Sequence, residues 1–245
     1  MVKLIVSDFD GTLMPYGQSA VSSVIKSQIE YALDSRIAFA VSSGRTYLEL
    51  VSYLPEFKDR IYFICCDGAY YIKDGKLLYA KMIEASDLLA FFNAAVCGRS
   101  FVMHGAESNY SFGSLPSEAA IFEPTEVKSV FDIKEKIFKV TTYGGEFALR
   151  GASALRMHWD GGKNLSAQYV NKFANKGSAL SDLQVRLMVT GLDTACIGDS
   201  HNDAAMMKGT KYSYSVGSRC PELAQATRFN TPTAEDALGE ILKTV

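Results

Sequence analysis

Two aspartates, Asp8 and Asp10, follow the apolar run Leu4-Ile5-Val6 and lead at once into Gly11 and Thr12. A β-branched strand that ends in two carboxylates and a glycine places negative charge at the carboxyl edge of a sheet, where open α/β folds keep their ligands. Gly11 permits the turn that such a strand end needs. Two later clusters share the pattern. Ile37 to Val41 runs into Ser42-Ser43-Gly44-Arg45, and Thr194 to Ile197 runs into Gly198-Asp199-Ser200-His201-Asn202-Asp203. With Lys176 at the start of a helix, these clusters combine carboxylates with phosphate-binding groups. Carboxylate oxygens of this kind suit Mg²⁺.

The elements that carry these residues alternate strand and helix. Ser19 or Ser22 can cap a helix with apolar positions Val21, Val24, Ile25, Ile29 and Leu33. After the second strand, Tyr47, Leu48, Val51 and Leu54 continue as a helix, and Ile61 to Cys66 is a third strand followed by Asp67-Gly68-Ala69. Asp74-Gly75 between Tyr70–Ile72 and Lys76–Tyr79 signals a hairpin. The α/β alternation then breaks. A helix with Leu88, Leu89, Phe91, Phe92 and Val96 precedes strands at Phe101–His104 and Ser108–Phe112. A helical stretch starting near Pro116 follows, while 126–131 fits no one element. Lys136 to Tyr143 reads as strand, Glu146 to Arg150 as helix, and Leu155–Trp159 with Leu165–Val170 as a hairpin across Asp160-Gly161-Gly162. The α/β pattern resumes at Lys176, whose helix carries Leu180, Leu183 and Leu187. The expected organisation is a parallel-sheet α/β core of residues 1–80 and 169–245, with an α+β module of residues 81–168 inserted in it.

Composition narrows the partners. The chain has 245 residues and 48% hydrophobic content, enough for one large core or a core with a satellite. Its net charge is -2, from 25 Lys plus Arg against 27 Asp plus Glu. That balance gives no electrostatic footprint for nucleic acid or an anionic membrane surface. No apolar run spans a bilayer, and the first residues lack the pattern of a signal peptide. Five cysteines without Cys-x-x-Cys spacing argue against a disulfide framework and against a structural zinc site. The expected compartment is the cytoplasm, and oligomeric state is not readable.

In their order and at their strand ends, four motifs resemble the haloacid dehalogenase superfamily, in particular its Cof-like sugar-phosphatase branch. Asp8-Phe9-Asp10-Gly11-Thr12-Leu13 resembles the first motif, Ser43-Gly44-Arg45 the second, Asn175-Lys176-Gly177 the third and Gly198-Asp199-Ser200-His201-Asn202-Asp203 the fourth. The resemblance implies a Rossmann-like core with a cap between motifs two and three, of the αββαββ type. Four positions depart from the branch: Ser43 where Thr is usual, Asp67 where Asn is usual, Asn171 where proline is common and Phe173 where glycine is common.

The resemblance also implies roles. Asp8 is the expected nucleophile, forming an aspartyl-phosphate, and Asp10 the general acid and base. Mg²⁺ would be held by Asp8, the Asp10 carbonyl and Asp199. Ser43, Gly44, Lys176 and Asn202 would bind phosphate, with Lys176 also restraining Asp8. Asp203 and Thr12 would stand behind these groups. Arg45 would contact substrate or pair with a core carboxylate, and the sequence does not choose. His201 is expected as an exposed loop residue, and His158-Trp159-Asp160 as hairpin packing rather than substrate recognition. The implied activity is Mg²⁺-dependent hydrolysis of a small phosphomonoester, a sugar phosphate, with the cap closing over the leaving group. A phosphomutase of the phosphomannomutase type, or a non-catalytic sugar-phosphate-binding protein, are the alternatives.

Overall fold

The computed structural model describes residues 1–95, 99–117, 123–144, 166–217 and 220–244, with the backbone alone of 154–159. The chain divides into two compact units, Met1–Tyr79 with Asn175–Val245, and Ala80–Ala174.

The first unit begins with β1 (Leu4–Asp8), α1 (Ser23–Asp34), β2 (Ala38–Ser42), α2 (Tyr47–Tyr53) and β3 (Tyr62–Cys65). β4 (Tyr70–Lys73) and β5 (Lys76–Ala80) follow as a hairpin. Its turn residues Asp74 and Gly75 have φ of 52° and 65°, the left-handed pair that suits a tight hairpin. Ser22 caps α1 by accepting a hydrogen bond from the Ile25 amide at 3.2 Å. α1 buries Ile25, Ile29 and Ala32, but Val24 is exposed, so the apolar stripe is narrower than the sequence suggests. Val24 adjoins Ile25 in sequence, and one residue rotates a side chain by about 100° off the buried face.

The second unit opens with α3 (Ala85–Ala94) and continues with β6 (Ser100–His104), β7 (Asn109–Phe112), β8 (Thr125–Glu126), β9 (Lys139–Tyr143), β10 (Ala154–Trp159) and β11 (Ser166–Asn171). These form one sheet in the order β10-β11-β9-β6-β7-β8. Phe91 and Phe92 of α3 pack on Phe101, with Tyr169 edge-on to Phe91 at 5.1 Å between ring centroids. The stretch at 126–131 resolves into the end of β8 and the start of a 3₁₀ turn at Val130–Asp132. β11 runs across the 168/169 boundary expected from sequence, because its ladder with β10 continues to Asn171. The expected helix at 146–150 lies outside the described residues, as do the 160–162 turn, Val96 and residues 118–122 of the helical stretch expected after Pro116, the second helix of the αββαββ order; the described end of that stretch is the strand β8. The side chains of His158, Trp159 and Asp160 lie outside them too.

The first unit resumes with α4 (Lys176–Leu187), β12 (Thr194–Gly198), α5 (Ala204–Met207), β13 (Tyr212–Val216), α6 (Pro221–Ala226), β14 (Phe229–Thr231) and α7 (Ala234–Leu242). Its sheet has the order β14-β13-β12-β1-β2-β3-β4-β5 and is parallel from β14 through β3. β1 and β12 are buried at every position, as central parallel strands covered on both faces must be. On one face Leu4, Val6, Ala40 and Cys196 meet Ala179, Leu180 and Leu183 of α4. The ladder pairs Asp8 with Ser42, Ser42 with Ile64, and Ser7 with Ile197. That register brings the carboxyl ends of β1, β2, β3 and β12 to one level.

Candidate active site

The four strand ends deliver Asp8, Ser43, Asp67 and Asp199 to the same edge, and the first turn of α4 adds Lys176. Lys176 is 2% exposed. Its ammonium donates to Asp8 Oδ1 and to Asp203 Oδ1, each at 2.6 Å. Asn175 caps the helix that carries it, accepting from the Ser178 amide at 2.8 Å.

Asp8 and Asp203 share one cation but are otherwise treated differently. Asp203 Oδ2 accepts the amides of Asp199 and Ser200 at 3.1 and 3.0 Å, so both of its oxygens are occupied. The other oxygen of Asp8 is buried and has no hydrogen-bond partner among the described residues, and the same holds for Asp199 Oδ1. Carboxylate oxygens of Asp8, Asp199 and Asp203 all lie within 4.8 Å of one another. Burial pushes the Asp8 carboxyl well above its usual range, and the nearby Asp203 charge adds to this against the pull of Lys176. Asp199 is raised by burial too, then by Asp203. For Lys176, burial opposes the charged form, but the facing carboxylates of Asp203, Asp8 and Asp67 outweigh it and the ammonium is held.

Three crowded carboxylates with one lysine, two of them carrying an unpartnered buried oxygen, fit a divalent cation bound through oxygen. Asp8 and Asp199 have a lone pair to give; Asp203 has its oxygens spent on Lys176 and the loop amides. Gly11 belongs to this geometry, since at φ 79° a Cβ would collide with Asp199 Oδ2.

Asp10 turns away from that cluster. Arg45 grips it with Nε at 3.0 and 2.9 Å from its two oxygens and Nη2 at 2.7 Å, and the Ser43 hydroxyl donates to Oδ2 at 3.3 Å. The guanidinium lies over the Tyr53 and Phe9 rings at 5.0 and 5.6 Å. Hydrogen bonding to Asp10 raises the Arg45 pKa further. Of the two partners that sequence leaves open for Arg45, the structure shows the carboxylate. Ser43 is buried, with its amide on the Ile64 carbonyl at 2.9 Å. Asn202 donates to Asp67 Oδ1 at 3.1 Å and accepts from Ser200 Oγ. Thr12 is buried behind Asp8 and Asp10 in sequence, its hydroxyl unpartnered among the described residues. His201 is exposed.

Two neighbours of the cluster have no role among the expected site residues. Asp67 is buried and touches Asn202; its sequence signal is its place after the third strand and before a glycine, where the resembled branch usually has Asn. Tyr16 hydrogen-bonds Asp199, and burial together with that carboxylate pushes its hydroxyl up to about 12. No spacing announces it.

A family model for haloacid dehalogenase-like hydrolases matches residues 5–242. The chain belongs to this family. It is 31% identical over 75 residues to the 5-amino-6-(5-phospho-D-ribitylamino)uracil phosphatase YbjI of Escherichia coli K12. That match spans 31% of this chain and 28% of the length of YbjI. Among solved structures, the subclass IIB sugar phosphatase BT4131 superposes with a TM-score of 0.77 at 17% identity, over 99% of this chain and 98% of that one. BT1666 from Bacteroides thetaiotaomicron, described among phosphatases of the superfamily, gives 0.80 at 21% identity over 100% and 95%. At such identities the likeness is one of fold. It establishes a haloacid dehalogenase-like architecture, a parallel-sheet core with an inserted α+β cap. No helix among the described residues is long and apolar enough to cross a membrane.

Proposed function

We propose that this hydrolase is a Mg²⁺-dependent phosphatase that cleaves a small phosphomonoester, of the sugar-phosphate class, through a phosphorylated Asp8. The observation that carries the reading is the Asp8 carboxylate itself: one oxygen is anchored on Lys176 at 2.6 Å, and the other is buried and unpartnered. An anchored carboxylate with one oxygen to spare is oriented as a nucleophile. Mg²⁺ held by Asp8, the Asp10 carbonyl and Asp199 would screen the charge of nucleophile and phosphate from each other.

In the first step an Asp8 oxygen bonds to phosphorus as the bond to the leaving alkoxide breaks, and Asp10 gives that alkoxide a proton. In the second, water attacks the same phosphorus, Asp10 takes its proton back, and Asp8 leaves as carboxylate with inorganic phosphate free. Ser43, the Gly44 amide, Lys176 and Asn202 supply the donors around the transferring group. Asp203 acts through Lys176 and the 199–200 amides, and Thr12 supports the Asp8–Asp10 turn. The matches to YbjI and BT4131, both named as phosphatases, support the reaction class.

The test is release of phosphate from an aryl phosphate and from a panel of sugar phosphates. Turnover that needs Mg²⁺, stops with chelator and is absent from a folded Asp8→Asn variant supports the reading. Full activity in that variant, or indifference to chelator, rejects it.

A further inference from the structure

Asp67 has no part in those steps, yet it stands where the loops of the site join. Cys66, Asp67 and Gly68 have φ of 49°, 55° and 85°, three left-handed residues in succession. Two of these carry side chains, and such a turn persists only where its surroundings hold it. Here the Cys66 amide donates to the Arg45 carbonyl and the Asp67 amide to the Ser43 carbonyl, both at 2.9 Å. At Gly68 a Cβ would collide with the Asn175 carbonyl, just ahead of Lys176. The turn therefore locks the Ser43–Arg45 loop, the start of α4 and, through the Asp67 side chain, Asn202.

The side chain is 6% exposed. Oδ1 accepts from the Asn202 amide at 3.1 Å, whereas Oδ2 has no partner among the described residues. That oxygen faces Gly44, where a Cβ would stand 3.2 Å from it. A carboxylate is thus fixed among Gly44, Asn202 and Lys176, the groups assigned above to the phosphate. It contributes to the electrostatic hold on the lysine as well. A neutral amide in its place would anchor Asn202 equally well. The charge does something else: it opposes an anion bound to its neighbours.

We propose that Asp67 is a positioning residue that fixes the Asn202 amide and, by its charge, weakens the grip of the site on inorganic phosphate so that product leaves. The inference rests on the phosphatase reading, because it takes Ser43, Gly44, Lys176 and Asn202 to be the phosphate cradle.

The experiment is calorimetric titration of inorganic phosphate into the full chain with Mg²⁺ present. Asp67→Asn keeps the shape, the acceptor for Asn202 and a residue type that tolerates positive φ, and it removes the charge. The expected result is phosphate binding about tenfold tighter than wild type, the size of one unit charge at short range in a partly screened site. Inhibition of turnover by phosphate should strengthen by the same factor. Asp67→Ser, neutral with an acceptor oxygen, is the second variant and should shift in the same direction. A merely structural residue would move the melting temperature and leave phosphate affinity alone. Unchanged or weaker phosphate binding in folded Asp67→Asn overturns the proposal while leaving the phosphatase reading intact. Absence of phosphate binding with Mg²⁺ present in wild type and in both variants alike, together with no turnover, overturns both, since the cradle itself then fails.

Discussion

The Arg45 guanidinium and the Asp10 carboxylate are joined side-on, Nε reaching both oxygens at 3.0 and 2.9 Å and Nη2 reaching Oδ1 at 2.7 Å. A planar fork of this kind fixes the carboxylate in angle as well as distance. It also occupies both oxygens, so a proton carrier at Asp10 has to free one of them when substrate arrives. In the proposed mechanism Arg45 would act on the reaction through Asp10. Arg45→Ala should lower kcat about tenfold or more, a fraction of the ~10²–10⁴ that a general acid and base supplies. KM should change little. Arg45→Lys keeps the charge without the fork and should recover little of the loss. A large rise in KM with kcat preserved would instead place Arg45 on the substrate.

Asp8 and Asp203 face each other across one buried ammonium. The balance is uneven, two carboxylates to one cation, with Asp199 adding a third negative group. A carboxyl whose folded pKa is raised contributes most to stability below its unfolded value and loses that contribution as pH rises through the folded value. Ionising Asp8 therefore costs the folded state free energy. Asp8→Asn should raise the melting temperature of the metal-free protein, by a gain on the order of 1–2 kcal/mol, while abolishing turnover. Lys176→Met should do the opposite. It leaves two buried carboxylates without their cation, and removing one partner of a buried pair costs about 3–5 kcal/mol. Urea unfolding of the three proteins in chelator checks both directions.

The fold was legible where strands are buried on both faces. Leu4–Val6 and Ala195–Ile197 are unbroken apolar runs because β1 and β12 have no solvent face, and such runs ending in Asp or Gly announce a sheet edge. The meeting of Asp8, Asp199 and Lys176 was legible for the same reason, each sitting where a strand stops or a helix starts. Arg45 was half legible: its loop was clear, but its partner depends on how Asp10 turns after Phe9. Asp67 stood out only as a departure from the resembled branch: its contact is with Asn202, far along the chain, and its turn is left-handed at non-glycine residues, which a sequence does not announce. Val24 misled because an apolar residue at helical spacing is no guarantee of a neighbour, and α1 presents it to solvent.

The buried oxygens of Asp8 and Asp199 give a prediction about metal that needs no substrate. A cation that relieves the repulsion among Asp8, Asp199 and Asp203 binds the folded chain alone. Mg²⁺ at about 100 times its dissociation constant should then stabilise by ~2.7 kcal/mol. For a chain of this size the melting temperature should rise by roughly 5 °C or more and return with chelator. Asp199→Asn should remove most of the rise. Asp203→Asn should act differently, lowering the melting temperature even without metal, since its oxygens tie Lys176 to the 199–200 amides. Equal loss of the Mg²⁺ response with unchanged basal stability in both variants would contradict the division of labour drawn here.

The second unit carries its own titration, at His104. The ring is fully buried in β6, with Nδ1 2.9 Å from Asn109 Oδ1 and Nε2 3.0 Å from Thr141 Oγ1. A neutral ring satisfies both neighbours. Burial, then the nearby Lys139 charge, holds its pKa well below the usual 6.5. The sign follows directly. Above pH 6.5 the ring is neutral folded or unfolded, and stability is unaffected. Below it the unfolded chain takes up a proton that the folded chain refuses, so stability falls as pH falls. The loss should reach up to about 2 kcal/mol at pH 5, from 1.36 kcal/mol for each unit below 6.5. His104→Gln offers hydrogen-bonding groups without the titration. It should melt somewhat lower than wild type at pH 7.5 and with a visibly flatter dependence between pH 7.5 and 5. Parallel pH profiles for the two proteins would show that His104 ionises in the folded state as readily as in the unfolded one.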